Sequence, residues 1–219
     1  MIEGMKPLED MILDAYREGI FPMAESAEDE SFAFYKPHLR SLLPLKTLHV
    51  PKSLRKTIRR NKFSLSVNRA FEQVIDGCAV PSSPKRSKTW INPPIREIFV
   101  MLHRQGHAHS VECWNESGQL AGGAYGLSIG AVFCGESMFS RERDASKVAL
   151  VALCALLSKC GYTTLDTQFL NPHLLQFGAY EIPQEEYEAL IREEMEKTVD
   201  SFTDLDLDVA VGEYLAAPA

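Results

Sequence analysis

Apolar positions in Leu8, Met11, Ile12 and Ala15 return every three or four residues, which predicts a short amphipathic helix stopped by Gly19. Ile20–Phe21–Pro22–Met23 leaves it as an apolar connector, and Glu25 to Glu30 reads as an acidic loop. Pro51 opens a second helix, anchored by Leu54 and Ile58, with Lys52, Arg55, Lys56, Arg59 and Arg60 facing outward. Phe63 to Val67 alternates with period two, a strand, and Asn68 can cap a helix carrying Phe71, Val74 and Ile75. Val80 to Lys88 is a Pro/Ser/Lys loop; Pro93–Pro94 precedes a helix from about Ile95 to Gln105, with Gly106 as its cap. A meander follows: strands at His109–Trp114, Gln119–Leu127 and Ala131–Cys134, the first two joined by an Asn115–Gly118 turn. Asp144 or Ser146 starts the most apolar helix, which ends at Gly161. Thr163 to Gln168 is strand-like, Pro172 to Phe177 a helical turn, and Pro183 or Gln184 opens a last helix to about Lys197. From Thr198 the tail is acidic and loses periodicity.

Meander strands leading into a buried helix predict an α+β fold with an acyltransferase-like layer. Residues 1–90 are expected to form a smaller basic N-terminal domain and residues 91–219 the catalytic one. A chain of 219 residues, 45% hydrophobic, can bury a substantial core. No apolar run reaches membrane-spanning length and no basic-then-apolar leader is present, so membrane span and secretion are not expected. Five scattered cysteines without a CxxC pair read as reduced, buried residues of a cytoplasmic protein. His107 and His109 lack partners at metal-ligand spacing, so no metal is expected and the pair reads as hydrogen-bonded structural groups.

Charge alters this picture. The total is −7, yet residues 36–109 hold 15 Lys or Arg against Glu72, Asp76 and Glu97. A basic face of this kind can steer a polyanion despite an acidic total. Lys52, Arg55, Lys56, Arg59 and Arg60, with Lys62, form one cluster; Lys85, Arg86 and Lys88 form another beside Trp90, whose indole can stack on a base. The alternative is a solvated basic helix and a core tryptophan.

Three residues stand out for chemistry. Glu136, in Gly135–Glu136–Ser137 after a strand, can hold an ammonium or move a proton, or be an ordinary strand-edge acid. Asp166 and Gln168, two apart, are expected on one face of a strand, where they can orient an amine or simply form a turn. Ser137 and Ser140 lack a His/Asp arrangement for a nucleophilic triad. Gly122–Gly123–Ala124–Tyr125–Gly126 is neither GxGxxG nor a P-loop, and reads as a strand approached closely by a ligand, or as a bulge. SRERDASK before the long helix lacks the glycines a CoA pyrophosphate would want, which disfavours a CoA-dependent N-acyltransferase, the alternative reading.

AYREGIFPM (15–23), TWI (89–91), LHRQGHAHSVECW (102–114), GGAYG (122–126), FCGESMFSRERDASK (133–147) and LDTQFLNPHLLQFGAYEIP (165–183) together resemble the leucyl/phenylalanyl-tRNA–protein transferases, over roughly Leu8 to Glu194. The resemblance implies a GNAT-like acyltransferase core. It implies movement of leucine or phenylalanine from aminoacyl-tRNA onto proteins beginning with Arg or Lys, which marks them for N-end-rule degradation. No cofactor is implied, because the ester is already activated; the partners are aminoacyl-tRNA and protein, with neither DNA nor a membrane. By matched motif, Asp166 and Gln168 belong to the reaction centre and Glu136 lines it. Ala124, Phe133, Met138, Leu150, Leu153 and Leu165 form the donor side-chain pocket, and Trp90 meets the terminal adenosine. Ala124 and Leu153 stand where methionine and phenylalanine are common in the family, which widens the pocket toward phenylalanine or methionine. Phe99 replaces a usual tyrosine.

Overall fold

Strands from both sides of residue 90 share one sheet. In this computed structural model, which describes residues 6–80, 89–202 and 205–217, the elements run α1 (Leu8–Arg17), β1 (Phe21–Met23), β2 (Ala33–Tyr35), β3 (Leu39–Leu43), α2 (Lys52–Arg59), β4 (Ser64–Val67), α3 (Phe71–Ala79), α4 (Pro93–Arg104), β5 (Ala108–Trp114), β6 (Leu120–Ile129), β7 (Val132–Ser140), α5 (Ala145–Lys159), β8 (Thr164–Asp166), α6 (Pro172–Leu175), β9 (Tyr180–Pro183), α7 (Gln184–Glu194) and α8 (Leu207–Ala216). Among the described residues the main sheet has the order β4-β5-β6-β7-β8-β3-β9, and β1 and β2 pair separately. β5 to β7 form the expected antiparallel meander, and β4 adds antiparallel to the outer edge of β5. β7 and β8 are parallel, while β3 runs antiparallel to both β8 and β9.

The fold is α+β, as the pattern predicts, but no separate basic N-terminal domain is visible. β3 and β4 lie before residue 90 and are wired into the sheet by strands that lie after it. Leu42 and Leu43 of β3, both buried, pair with Asp166 and Leu165 of β8. β3 was not predicted because Leu39–Arg40–Ser41–Leu42–Leu43 has no period-two alternation. Its last four residues are all buried, as in a strand covered on both faces.

Two apolar layers sandwich the sheet. α5 is buried along nearly all its length on one side, with α2 and α8 packed beside it; α1, α3, α4 and α7 cover the other. Glycines in β6 permit this closeness. A Cβ on Gly122 would stand 2.7 Å from the Cβ of Ala145 at the start of α5, and one on Gly126 would stand 2.2 Å from the carbonyl of Cys134 on β7. The glycine-rich motif therefore serves strand and helix packing.

The tail is also more ordered than its sequence suggests. Asp206 caps α8 through the amides of Asp208 and Val209, at 3.0 and 3.1 Å, and Leu207, Ala210 and Val211 are buried at helical spacing.

Candidate active site

β7 does not stop at Cys134, where the glycine and acid suggested an end; it continues to Ser140. Tyr125 of β6 pairs with Ser137 and Gly126 pairs with Gly135, so Glu136 is an extra residue without a cross-strand partner. Such a bulge re-aims the side chain it contains. Glu136 turns into a cavity of about 790 Å³ that opens where β7 and β8 part company. Their parallel pairing ends at Cys134 and Asp166, and β8 stops there.

The chain then turns sharply. Thr167 N–H donates to the Ser41 carbonyl at 2.9 Å, and Gln168 takes a left-handed conformation with φ +54°. Asp166 and Gln168 therefore do not share a strand face as expected, because the strand has ended between them. The turn instead sends the Gln168 side chain back, and its Nε2 donates to Glu136 Oε1 at 3.3 Å. Tyr16 of α1 donates its hydroxyl to the same oxygen at 2.8 Å. Among the described residues Oε2 accepts no hydrogen bond. Withdrawal from water, ahead of the opposing effect of Tyr16, pushes the Glu136 carboxyl up to about 8, with the nearby Asp166 charge adding to the rise.

Asp166 is fully committed. It is 0% exposed and accepts from Arg40 Nε at 2.8 Å, Arg40 Nη2 at 2.6 Å, Tyr187 Oη at 2.9 Å and the amide of Gln168 at 2.9 Å. Arg40 is likewise 0% exposed, with its guanidinium carbon 4.8 and 4.4 Å from the ring centroids of Phe21 and Tyr187. Asp166 is thus a buried anchor for the Gln168 turn, with no lone pair left to serve as a base. Tyr16, Arg40 and Tyr187 were missed in the sequence. The signals were there, in a tyrosine inside AYREGIFPM and a lone arginine in a leucine-rich run.

Ala124, Met138, Leu150, Leu153 and Leu165 line the cavity together with Glu136, Gln168 and Trp90. Phe133 does not. It is 0% exposed on β7, packed against Tyr162 and Phe202 and under Gly126, so it belongs to the core behind the pocket. Phe21, Phe169 and His173, not predicted, also contribute to the wall. His109, by contrast, bonds Asn68 and stacks edge-on against Phe202, and burial drives its imidazole down to about 4, which makes it the structural histidine expected.

On α2, Lys52, Lys56, Arg59 and Arg60 are exposed. Arg55 differs: it is half-buried, and it donates to the carbonyls of Val50 and, at 2.9 Å, Leu215 of α8. Lys85, Arg86 and Lys88 lie outside the described residues. Among those described, all five cysteines are accounted for as free and buried, no cluster of His, Cys, Asp and Glu could hold a metal ion, and no helix is long and apolar enough to cross a membrane.

The raised Glu136 carboxyl has a consequence for stability. The folded protein holds a proton there that the unfolded chain releases near pH 4.5, so this stabilisation is complete below that pH and is lost as pH rises through about 8. Glu136→Gln is therefore expected to gain about 4 kcal/mol on its parent at pH 9 relative to pH 5, read by urea denaturation at both pH values. An equal difference at both would show the carboxyl to be unperturbed.

The family profile described as leucyl/phenylalanyl-tRNA protein transferase matches residues 42–192. The leucyl/phenylalanyl-tRNA–protein transferase of Novosphingobium aromaticivorans is 52% identical over 182 residues, 83% of this chain and 68% of that protein. Its namesake from Rhodopseudomonas palustris is 52% identical over 199 residues, 91% of this chain and 87% of that protein. Among solved structures, L-PGS from Bacillus licheniformis overlays on 96% of this chain and 78% of its own, at 11% identity and a TM-score of 0.44. The match over most of the chain, at an identity of about half, makes this protein an aminoacyltransferase of the leucyl/phenylalanyl-tRNA–protein transferase family.

Proposed function

We propose that this protein moves leucine, phenylalanine or methionine from aminoacyl-tRNA to the free α-amine of proteins that begin with Arg or Lys. The observation that carries the reading is the cavity itself: an apolar wall of Ala124, Met138, Leu150, Leu153 and Leu165, with a carboxyl and a carboxamide side by side at one end. The donor side chain lies against that wall, Trp90 stacks on the terminal adenosine, and the ester carbonyl reaches Glu136 and Gln168. The size of the cavity suits an aminoacyl group together with part of its nucleoside.

The amine nitrogen attacks the ester carbonyl, a C–N bond forms, and the bond to the ribose oxygen breaks. The proton lost by the amine ends on that oxygen. With its Nε2 on Glu136, Gln168 has its amide oxygen left to accept from the incoming amine. A carboxyl near 8 matches an α-amine of about 7.7–8.0, so a proton passes between them at little cost. Holding amine and ester in place supplies much of the remaining rate. A cationic N-terminal residue is not met by Asp166, whose charge Arg40 already neutralises. The reaction needs no CoA, and the GNAT-like core serves an acyl group carried by RNA.

The test is one transfer assay in which Leu-, Phe- and Met-tRNA are offered against peptides beginning with Arg, Lys, Asp and Glu. Transfer to Arg and Lys peptides is expected, with Phe and Met at least equal to Leu because Ala124 and Leu153 leave the pocket wide. Transfer to the acidic peptides alone would overturn the acceptor assignment.

The exposed cations of α2 are assigned to the tRNA backbone. Replacing Lys56, Arg59 and Arg60 with glutamine is expected to weaken tRNA binding and to flatten its log–log salt dependence by about 2 units. An unchanged slope in filter binding across a salt series would remove α2 from the RNA surface.

A further inference from the structure

Glu136 is held by two groups from different parts of the chain, Tyr16 on α1 and Gln168 after β8. Both trace back to the same buried cation. Through Nε and Nη2, Arg40 grips Asp166, whose Oδ1 in turn fixes the amide of Gln168 in its left-handed turn. Through Nη1, at 3.0 Å, it holds the carbonyl of Gly19. Gly19 closes α1, its own amide donating to the carbonyl of Tyr16 at 3.0 Å. The two rings about the guanidinium fix it further: Tyr187 belongs to α7, and Phe21 is itself a wall of the cavity.

We propose that Arg40 is a positioning residue for the transfer: one guanidinium sets both the Gln168 turn and the end of α1, and so places the two groups that contact Glu136. It touches neither donor nor acceptor. Its planar fork is what the role requires, since an ammonium cannot make two parallel bonds to Asp166 and a third to Gly19 from one fixed plane. The claim rests on the transfer reading above for its kinetic consequence, though not for its geometric one.

Arg40→Lys keeps the charge and loses the fork. Tyr187→Phe removes one bond to Asp166 and leaves the ion pair intact. Leu157→Ala, in the buried heart of α5 and away from the cavity, serves as a destabilised control. Each is assayed with Phe-tRNA and a peptide beginning with Arg, alongside urea denaturation and the side-chain amide signals of Gln168 in a ¹⁵N spectrum, assigned by their loss in Gln168→Asn. Arg40→Lys is expected to lower kcat about 10–100-fold with KM for Phe-tRNA within about twofold, and to move the Gln168 signals. Tyr187→Phe is expected to move the same signals with a kcat loss of about 3–10-fold, and it decides the matter if Arg40→Lys does not fold. Leu157→Ala is expected to lose stability with kcat and the Gln168 signals unchanged. Folded variants with the parent's kcat and unmoved Gln168 signals would overturn the proposal, as would an equal kcat loss in Leu157→Ala. A parent protein that transfers nothing, with Gln168 signals still moved by Arg40→Lys, would refute the transfer reading and uphold the geometry assigned to Arg40.

Discussion

Asp166→Ala is expected to destabilise the protein by about 3–5 kcal/mol, the largest effect of any single change at the site. The loss does not come from the aspartate's own contribution to a salt bridge. It comes from what is left behind, a guanidinium that is 0% exposed and has lost both of its carboxylate bonds. The Tyr187 hydroxyl and the Gln168 amide lose their acceptor in the same step. Removing both charges distinguishes this cause from a general intolerance of change. Arg40→Met combined with Asp166→Leu is expected to recover most of the stability, because apolar residues of similar volume replace a buried pair at little net cost. Denaturant midpoints of the single and double variants measure this directly; a double variant no better than Asp166→Ala would show that packing, rather than an unpaired charge, dominates. Restored folding is not expected to restore transfer, since the Gln168 turn has lost its tether. An Asp166→Ala variant that merely lacks activity would therefore say little about acid–base chemistry.

Gln168→Asn is expected to lower kcat about 100-fold while leaving folding and KM for aminoacyl-tRNA close to the parent's. The choice of asparagine matters. The backbone here has φ +54°, a conformation asparagine adopts more readily than most residues, whereas alanine keeps the strain of about 1–2 kcal/mol that glutamine already bears. Asparagine also keeps the amide and withdraws it by one methylene, beyond reach of a Glu136 oxygen that Gln168 meets at 3.3 Å. Steady-state kinetics with Phe-tRNA and an Arg peptide checks the expectation. A kcat within threefold of the parent's would mean that the carboxamide does not position the amine. The pH profile gives a second view: the parent's rate is expected to rise with pH toward about 8 as Glu136 and the acceptor amine both lose protons, and Glu136→Gln to show a shallower limb that follows the amine alone.

Much of this was legible in the chain. The helices at Leu8, Pro51, Pro93 and Ala145 announced themselves by periodicity and caps, and the meander by alternation and its Asn115–Gly118 turn. What stayed hidden has a common physical cause. β3 has no polar face to alternate with, because it is buried on both sides, and its arginine looks like a surface residue until Asp166, 126 positions away in sequence, is brought against it. The period-two rule placed Asp166 and Gln168 on one face, but a strand end is set by tertiary pairing, here with Ser41, which no local pattern reports. Phe133 was assigned to the pocket by motif; its neighbour Gly126 instead makes room for its ring in the core. Arg55 was counted with the outward cations of α2, yet its partner is the carbonyl of Leu215, in a tail whose helix the sequence did not suggest.

The extra residue in β7 does more than present an acid. Alternation in an unbroken strand would send Phe133 and Met138, five residues apart, to opposite sides of the sheet. Here both pack on the α5 side, while Cys134 and Phe139 both pack on the other, with the Phe139 ring filling the space that a side chain on Gly77 would need. The single inserted position inverts the phase of everything after it. Drawing Glu136 into regular pairing would exchange Met138 and Phe139 between layers, closing the donor cavity with a misplaced ring and emptying the seat against α3, whereas excising it would leave both on their present sides. The acid therefore occupies the one position of β7 that neither layer uses, so the sheet can carry it, or lose it, without moving the wall beside it.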